Sequence, residues 1–402
     1  MIATLALAAI PVFAQLSLAD AQQRATANNV DAQVALAAVR RREASLHLAR
    51  IGAVPHLIGD YSLSPQANAP TTGTVEQHYF AVGAGISIND LVGASNAVRA
   101  AAGDLLAAER GADAAGIAAR ESAIKLYFAA LQAIALESFR AGALLGAQRD
   151  RNAADLRAHN GAAPQLDVVR ADVTLAQAHA DLARAQADRD DAVDALASAT
   201  GIDPAGLSAV TAVPISAEPP LDVTRAVTRA LAGRPELAAL LATIEARNAD
   251  VNAARQLWMP STTIQGGYEK GVDTGIPVQG AQVAAHLDLP LASGNGDRVA
   301  LAQTQVDEAY AQLVDERRKI RLEVAAAVRD AQAQESAAKG ADRARSEAER
   351  ALTAVQIGYR EGASSSLDVA DARRTYDQAS VDALVAEYQR AVALAILTVI
   401  VP

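Results

Sequence analysis

The residues whose type and spacing could do chemistry are acidic and lie at two related places. Asp368 and Asp371 stand one helical turn apart, so both side chains leave one face of a helix. Asp167 occupies the place of Asp368 in a similar stretch about two hundred residues earlier. Carboxylates near a helix start also have a plain structural use. Ser365-Ser366-Leu367-Asp368 has the form of an N-cap with an acid three residues on, and Asp167 sits at the matching place after Pro164. Asp371 is harder to explain in that way, because its counterpart is Arg170 and a residue needed only to start a helix should not change sign between copies. No other grouping competes. His47, His56, His78, His159, His179 and His286 are scattered without a pair at ligand spacing, so no metal site is expected. There is no glycine-rich phosphate loop and no defensible Ser-His-Asp grouping; no cofactor is expected, and the chain does not read as an enzyme.

The two acidic stretches belong to two tips. Asn160-Gly-Ala-Ala-Pro-Gln-Leu-Asp-Val-Val-Arg170 and Gly358-Tyr-Arg-Glu-Gly-Ala-Ser-Ser-Ser-Leu-Asp-Val-Ala-Asp371 each follow a long helical pattern, stop at a glycine and restart as a second helix. Gly161 pairs with Gly362, Leu166 with Leu367, Asp167 with Asp368 and Val168 with Val369. The chain is an internal duplication built of αα-hairpins.

Composition agrees with long packed helices: 51% of residues are hydrophobic, only 3% aromatic, and much of the apolar count is alanine. A net charge of −10 argues against a nucleic-acid partner. The absence of cysteine excludes disulfides, thiolate metal sites and a lipidated cysteine anchor. Residues 1–14 read as an export signal, an apolar run ending Val12-Phe13-Ala14, although no Lys or Arg precedes it. Beyond it no apolar run is expected to reach the eighteen or so residues of a spanning helix.

In chain order, each half carries the same elements. The first repeat covers 15–200: a helix at 16–54, a β-hairpin at 56–89, a long helix at 94–159 and a returning helix at 164–200. After a connector at 201–220, the second repeat covers 221–402: a helix at 221–259, a β-hairpin at 261–290, a long helix at 296–360 and a returning helix at 365–401. Arg42, Ala44, Arg50 and Pro55 recur as Arg247, Ala249, Arg255 and Pro260. In the hairpins the period changes to two: Phe80, Val82, Ala84, Ile86 and Ile88 share one strand face, and Val283, Ala285, Leu287 and Leu289 another. Partner strands are expected at 57–64 and 262–269, with loops at 66–77 and 270–279. Such strands suit either a membrane barrel or soluble hairpins packed on something else. If they span a bilayer, four strands cannot close alone, since the smallest membrane barrels have about eight, and other copies must complete the sheet. The long helices, at about 1.5 Å per residue, would each run about 100 Å. Val299, Val306, Leu313, Ile320 and Ala327 fall at strict sevens, as do Ile117, Ile124 and Leu131, which means side-by-side helix packing. Tyr61, Tyr79, Phe80, Trp258 and Tyr268 near strand ends suit an interfacial girdle, with packing at the helix-to-strand junction an equal use for Trp258.

This order of elements in both halves resembles the TolC-like outer-membrane efflux proteins. The phrases Ala230-Leu-Ala-Gly-Arg-Pro-Glu-Leu237, Asp288-Leu-Pro-Leu291 and Gly362 followed by Ser366-Leu-Asp-Val369 resemble theirs too. The resemblance implies a mainly α fold with a β-barrel portion: a homotrimer with one twelve-stranded barrel in the outer membrane and an α-helical barrel crossing the periplasm. It implies a passive exit duct of a tripartite efflux or type I secretion system, partnered by a periplasmic adaptor and an inner-membrane pump. By the same resemblance Asp368 and Asp371 match the anionic rings of a periplasmic gate, Tyr359 and Asp167 match its linking pair, and Ser364 stands where some members have a linking arginine. A periplasmic coiled-coil adaptor that never enters the membrane is the alternative; it accounts for the heptads but not for the paired greasy and polar strands.

Overall fold

The computed structural model describes residues 15–51, 56–67, 74–203, 209–210, 222–259, 261–273, 276–288 and 294–401. The expected export signal and most of the connector lie outside the described residues. The chain divides into two compact units, one formed by 34–113 and 235–317 and the other by 1–33, 114–234 and 318–402.

The unit formed by 34–113 and 235–317 holds a four-stranded sheet. Its strands are β2 (His56–Ala67), β3 (Thr74–Ser87), β5 (Ser261–Asp273) and β6 (Ile276–Asp288), antiparallel in the order β2-β3-β5-β6. The strands run beyond the expected ones, into stretches read as loops because of their glycine, proline and polar content. Pro65 pairs with Glu76 and Pro277 with Val272. Both prolines sit on β2 and β6, the outer strands of this four-stranded sheet, which is where sheets tolerate proline. Where β3 meets β5, Gly83 lies opposite Gly267, and a Cβ built on Gly83 would come within 2.5 Å of the Gly266 carbonyl oxygen. Glycine is required there by close backbone approach.

Alternation along the strands sorts exposure as the sequence suggests. Phe80, Val82, Ile264, Tyr268, Val283 and Leu287 are all exposed, Val283 by 82%, while Ala81 is buried. Cross-strand register puts Val82 opposite Tyr268 and Ile264 opposite Ala285. The apolar face is therefore the outward one, the reverse of a water-soluble sheet.

Beneath the sheet, α2 (Val30–Ile51) and α6 (Pro235–Gln256) are repeat-related helices. Arg42 of α2 donates to Asp104 at 2.9 Å and Arg247 of α6 donates to the other oxygen of the same carboxylate at 2.8 Å. Two equivalent arginines thus converge on α3 (Ile88–His159). That helix begins six residues before the expected start, so Ile88, assigned above to a strand, opens it instead. Val251, Ala302 and Val306 form the local apolar core with α7 (Asn295–Arg360).

The other unit contains α1 (Leu18–Asn28), α4 (Gln165–Thr200), α5 (Val223–Gly233), α8 (Ser366–Ile400) and the later parts of α3 and α7. The helices expected at 16–54 and 221–259 are each broken in two, at Asn29 and at Arg234-Pro235. Asn29 accepts from the Ala32 amide at 3.0 Å, and Pro235 takes the first helical position, where a missing N–H costs nothing. The apolar period carries through both breaks, so periodicity alone hides them. Two short strands, β1 (Gln15–Leu16) and β4 (Ala209–Val210), pair in parallel. Tyr127, fully buried and edge-on to Phe128, donates its hydroxyl to the Leu16 carbonyl at 3.2 Å. Burial, with Asp20 adding to it, pushes the Tyr127 phenol up to about 12. Ile124, Leu131, Leu196 and Ala391 complete this core.

The heptads hold only in part. Val306, Leu313 and Ile320 are buried, but the burial then moves to Val324, Val328 and Ala331 and leaves Ala327 half-exposed. A helix at 3.6 residues per turn drifts about 20° per heptad, so over the four heptads from Val299 to Ala327 the seam moves by roughly 80°, close to the ~100° that separates neighbouring residues. Contrary to expectation, α3 and α8 each include an 18-residue window apolar enough in composition to cross a membrane. Alanine supplies that apolarity, and a helix face meant for other helices passes the same compositional test.

Candidate functional site

The two hairpin tips are built alike. At the end of α3, Gly161 adopts φ 67°, its N–H donates to the Ala158 carbonyl at 3.0 Å, and the Ala162 N–H donates to the Arg157 carbonyl at 2.9 Å. At the end of α7, Gly362 adopts φ 79°, its N–H donates to the Tyr359 carbonyl at 3.3 Å, and the Ala363 N–H donates to the Gly358 carbonyl at 2.7 Å. Both are glycine-terminated helix ends whose last carbonyls are satisfied by backbone.

The restart differs. Helix α4 begins after Pro164, which offers no side-chain cap. Helix α8 begins at Ser365 with a full capping box: the Ser365 hydroxyl accepts from the Asp368 amide at 3.2 Å, and the Asp368 carboxylate accepts from the Ser365 amide at 2.8 Å. These bonds to Ser365 hold the Asp368 carboxyl below its ordinary range. Asp368 is thus committed to its own helix start.

Asp167 is not. Its carboxylate, 12% exposed, accepts a hydrogen bond from the Ser366 hydroxyl at 2.7 Å, and Arg170 stands 3.7 Å away. This bond ties one hairpin to the other. A second tie involves Tyr359, whose ring lies 4.9 Å below the Arg157 guanidinium. Among the described residues no hydrogen bond joins Tyr359 to Asp167; each has found a different partner within the chain. Ser366 and Arg157 were not singled out from sequence. Comparing the copies position by position offers the only signal, since Ser366 faces Gln165 in the alignment and Arg157 faces Gly358.

Asp371 is exposed and ion-paired with Arg374 three residues on. Ser364 donates its amide to the Gly358 carbonyl at 3.2 Å, and its hydroxyl packs where a Gly358 side chain would go, at 2.6 Å from the built Cβ. It is a turn residue held close to its own helix. Behind the tips a groove of about 740 Å³ is lined by Arg140, Asp181, Leu367, Arg373 and Asp377 among others. Burial raises the Asp377 carboxyl, opposed by Arg373 and Arg140 and reinforced by Asp150. No three metal-ligating side chains converge among the described residues.

Long duplicated helices, glycine-closed tips and a sheet that turns its greasy face outward are features of a membrane conduit. The family model for outer membrane efflux proteins matches residues 21–202 and 226–401, nearly the whole chain. The chain belongs to the outer membrane efflux protein family. Solved structures agree with that fold. A membrane protein from Pseudomonas aeruginosa superposes with a TM-score of 0.81 at 22% identity, over 96% of this chain and 93% of that one. The open state of the Neisseria gonorrhoeae MtrE outer membrane channel gives 0.80 at 21% identity, over 96% and 88%. The outer membrane protein VceC of Vibrio cholerae gives 0.79 at 19% identity, over 95% of each chain. No curated protein matches the sequence. As an efflux protein of this family the chain is a transport channel and not an enzyme, located in the outer membrane of a Gram-negative bacterium with its helical portion in the periplasm.

Proposed function

We propose that three copies of this efflux protein form one passive exit duct of a tripartite efflux or type I secretion system. The observation that carries the reading is a sheet with an outward apolar face and two edges, on β2 and β6, that pair with no strand among the described residues. Edges in a bilayer must be satisfied, and three sheets of four strands close a barrel of twelve without leaving one. A periplasmic adaptor and an inner-membrane pump are the partners of such a duct in this reading, and the sequence shows no glycine-rich phosphate loop that would bind a nucleotide.

The gate in this reading is the ring of hairpin tips. Asp167 with Ser366, and Tyr359 with Arg157, hold the two hairpins of each chain together in the closed state; opening rotates the α7–α8 hairpin away from the α3–α4 hairpin. Asp371 and Asp368, each repeated three-fold, give the mouth its anionic rings; the capping bonds keep Asp368 ionised, and Arg374 offsets part of the charge of Asp371. Small residues along the helices permit such sliding.

The test is single-channel conductance of detergent-purified oligomer in a planar bilayer, comparing wild type with Asp371→Ala and with Asp368→Ala at several divalent-cation concentrations. Discrete cation-preferring openings that lose divalent block in Asp371→Ala support duct and ring together. Pores with unchanged block remove the ring from the reading, and correctly folded protein that makes no pore removes the duct.

A further inference from the structure

Three large apolar residues in sequence, Leu257, Trp258 and Met259, are exposed by 42%, 60% and 56%. Consecutive side chains on a helix or strand point to different sides, and here a turn between α6 and β5 leaves all three uncovered. The turn is fixed: the amides of Leu257, Trp258 and Met259 donate to the carbonyls of Ala254, Arg255 and Gln256 at 3.3, 3.3 and 2.9 Å. Asn295, 3% exposed, donates its side-chain amide to the Leu257 carbonyl at 2.6 Å. A rigid apolar turn open to solvent needs a covering partner.

The repeat-related stretch of the sequence carries no such bulk. Arg50 and Pro55 match Arg255 and Pro260, and between them Gly52, Ala53 and Val54 stand where Leu257, Trp258 and Met259 do. The large residues therefore occur in one copy only. Their place says what covers them. The turn precedes the first residue of β5, Ser261, and that strand carries the exposed Ile264 and Tyr268 of the lipid-facing surface. Since the helices are periplasmic, the turn lies where that surface leaves the membrane on the periplasmic side. Tryptophan prefers that level, and Arg255, exposed just before the turn, suits lipid phosphate.

We infer that Leu257, Trp258 and Met259 form an anchor that enters the periplasmic leaflet of the outer membrane, seating among phospholipid glycerol groups and upper acyl chains. The inference rests on the sheet lying in the membrane. It adds a lipid-binding surface on the helix side of the barrel, one per chain, that fixes how deeply the barrel sits.

Trp258 is the only tryptophan in the chain, so wild-type protein reports on itself. The oligomer is reconstituted into phosphatidylethanolamine/phosphatidylglycerol vesicles containing phosphatidylcholine brominated either near the ester end or near the methyl end of the acyl chain. Ester-end bromine is expected to remove about half of the emission and methyl-end bromine clearly less, as an interfacial tryptophan requires. Blue-shifted emission untouched by either lipid means that a neighbouring copy covers the turn and overturns the anchor. Water-like unquenched emission, or stronger quenching by methyl-end bromine, overturns it too. The variant Trp258→Phe with Tyr268→Trp moves the reporter to mid-strand, where methyl-end bromine should quench more. Quenching there without quenching of Trp258 removes the anchor alone; quenching at neither place removes the membrane placement of the sheet.

Discussion

Replacing Ser366 by alanine removes the donor of the bond between the two hairpin tips and nothing else of size. The Ser366 hydroxyl reaches Asp167 at 2.7 Å, and the carboxylate is 12% exposed, so the bond is charge-assisted and largely shielded from water. Hydrogen bonds to charged groups contribute about 1.5–3 kcal/mol, and the residual exposure argues for the lower end. A loss of about 1.4 kcal/mol moves a closed-to-open equilibrium tenfold, so three chains opening together would shift by about a thousandfold. The assay is open probability in single-channel recordings, with uptake of a bulky hydrophilic dye by whole cells as the parallel measure. Ser365→Ala is the control. It removes the helix cap, at about 1 kcal/mol of local stability, and leaves the tie intact. Ser366→Ala should open the channel while Ser365→Ala leaves it largely closed. Open probability within twofold of wild type in a correctly assembled Ser366→Ala oligomer refutes the tie, and equal opening by both variants means that loss of tip order, not of the tie, opens the channel.

Three further outcomes follow from the geometry. Gly83→Ala places a methyl against the Gly266 carbonyl and should cost about 1–3 kcal/mol of barrel stability, whereas Gly280→Ala meets nothing within 4 Å and should be silent; heat-modifiability on gels compares them. Arg234, buried to 6% exposure, donates to the Ile400 carbonyl at 3.0 Å and to Glu323 at 2.6 Å, so Arg234→Ala orphans the end of α8. Because Glu323 is half-exposed and can rehydrate, the lower part of the 3–5 kcal/mol range for broken buried pairs applies, about 3 kcal/mol, read from denaturation midpoints. For Asp377 the folded carboxyl is raised, so ionisation penalises the folded state above that raised value, and the penalty disappears as pH falls through it. Asp377→Asn should accordingly be more stable than wild type at neutral pH, with the gap closing on acidification; a gap that widens toward acid contradicts the burial argument.

Much of this was legible in the sequence because it rests on spacing. Duplication, tips and strand faces all follow from periodicity, and Gly161 and Gly362 mark helix ends that backbone sterics confine to glycine. What was hidden depends on neighbours distant in sequence. The breaks at Asn29 and Pro235 leave the apolar period intact, the prolines of β2 and β6 look like loop signals until the strand order makes them edges, and the drift after Ile320 needs helix geometry over several turns. The partners of Asp167 and Tyr359 fall in the same class. The local difference, Pro164 before Asp167 against Ser365 before Asp368, names no partner, and only the fold brings Ser366 within reach of Asp167.

In that last pair the same position meets two different surroundings. Asp167 and Asp368 occupy the same position in the two copies, three residues after Pro164 and Ser365 respectively. Ser365 absorbs its aspartate in a capping box, leaving that carboxylate satisfied locally. Pro164 has no side-chain acceptor and no N–H, so Asp167 gains no reciprocal bond at its own helix start and its oxygen is free to receive Ser366. Converting Pro164 to serine should therefore pull Asp167 into a capping box of its own and weaken the tie without touching either of its members. Helix α4 would become better capped while the channel opened more readily, a pairing of outcomes that a general loss of tip stability cannot produce. If Pro164→Ser leaves both thermal stability and open probability unchanged, competition between capping and tying is not what separates the two tips.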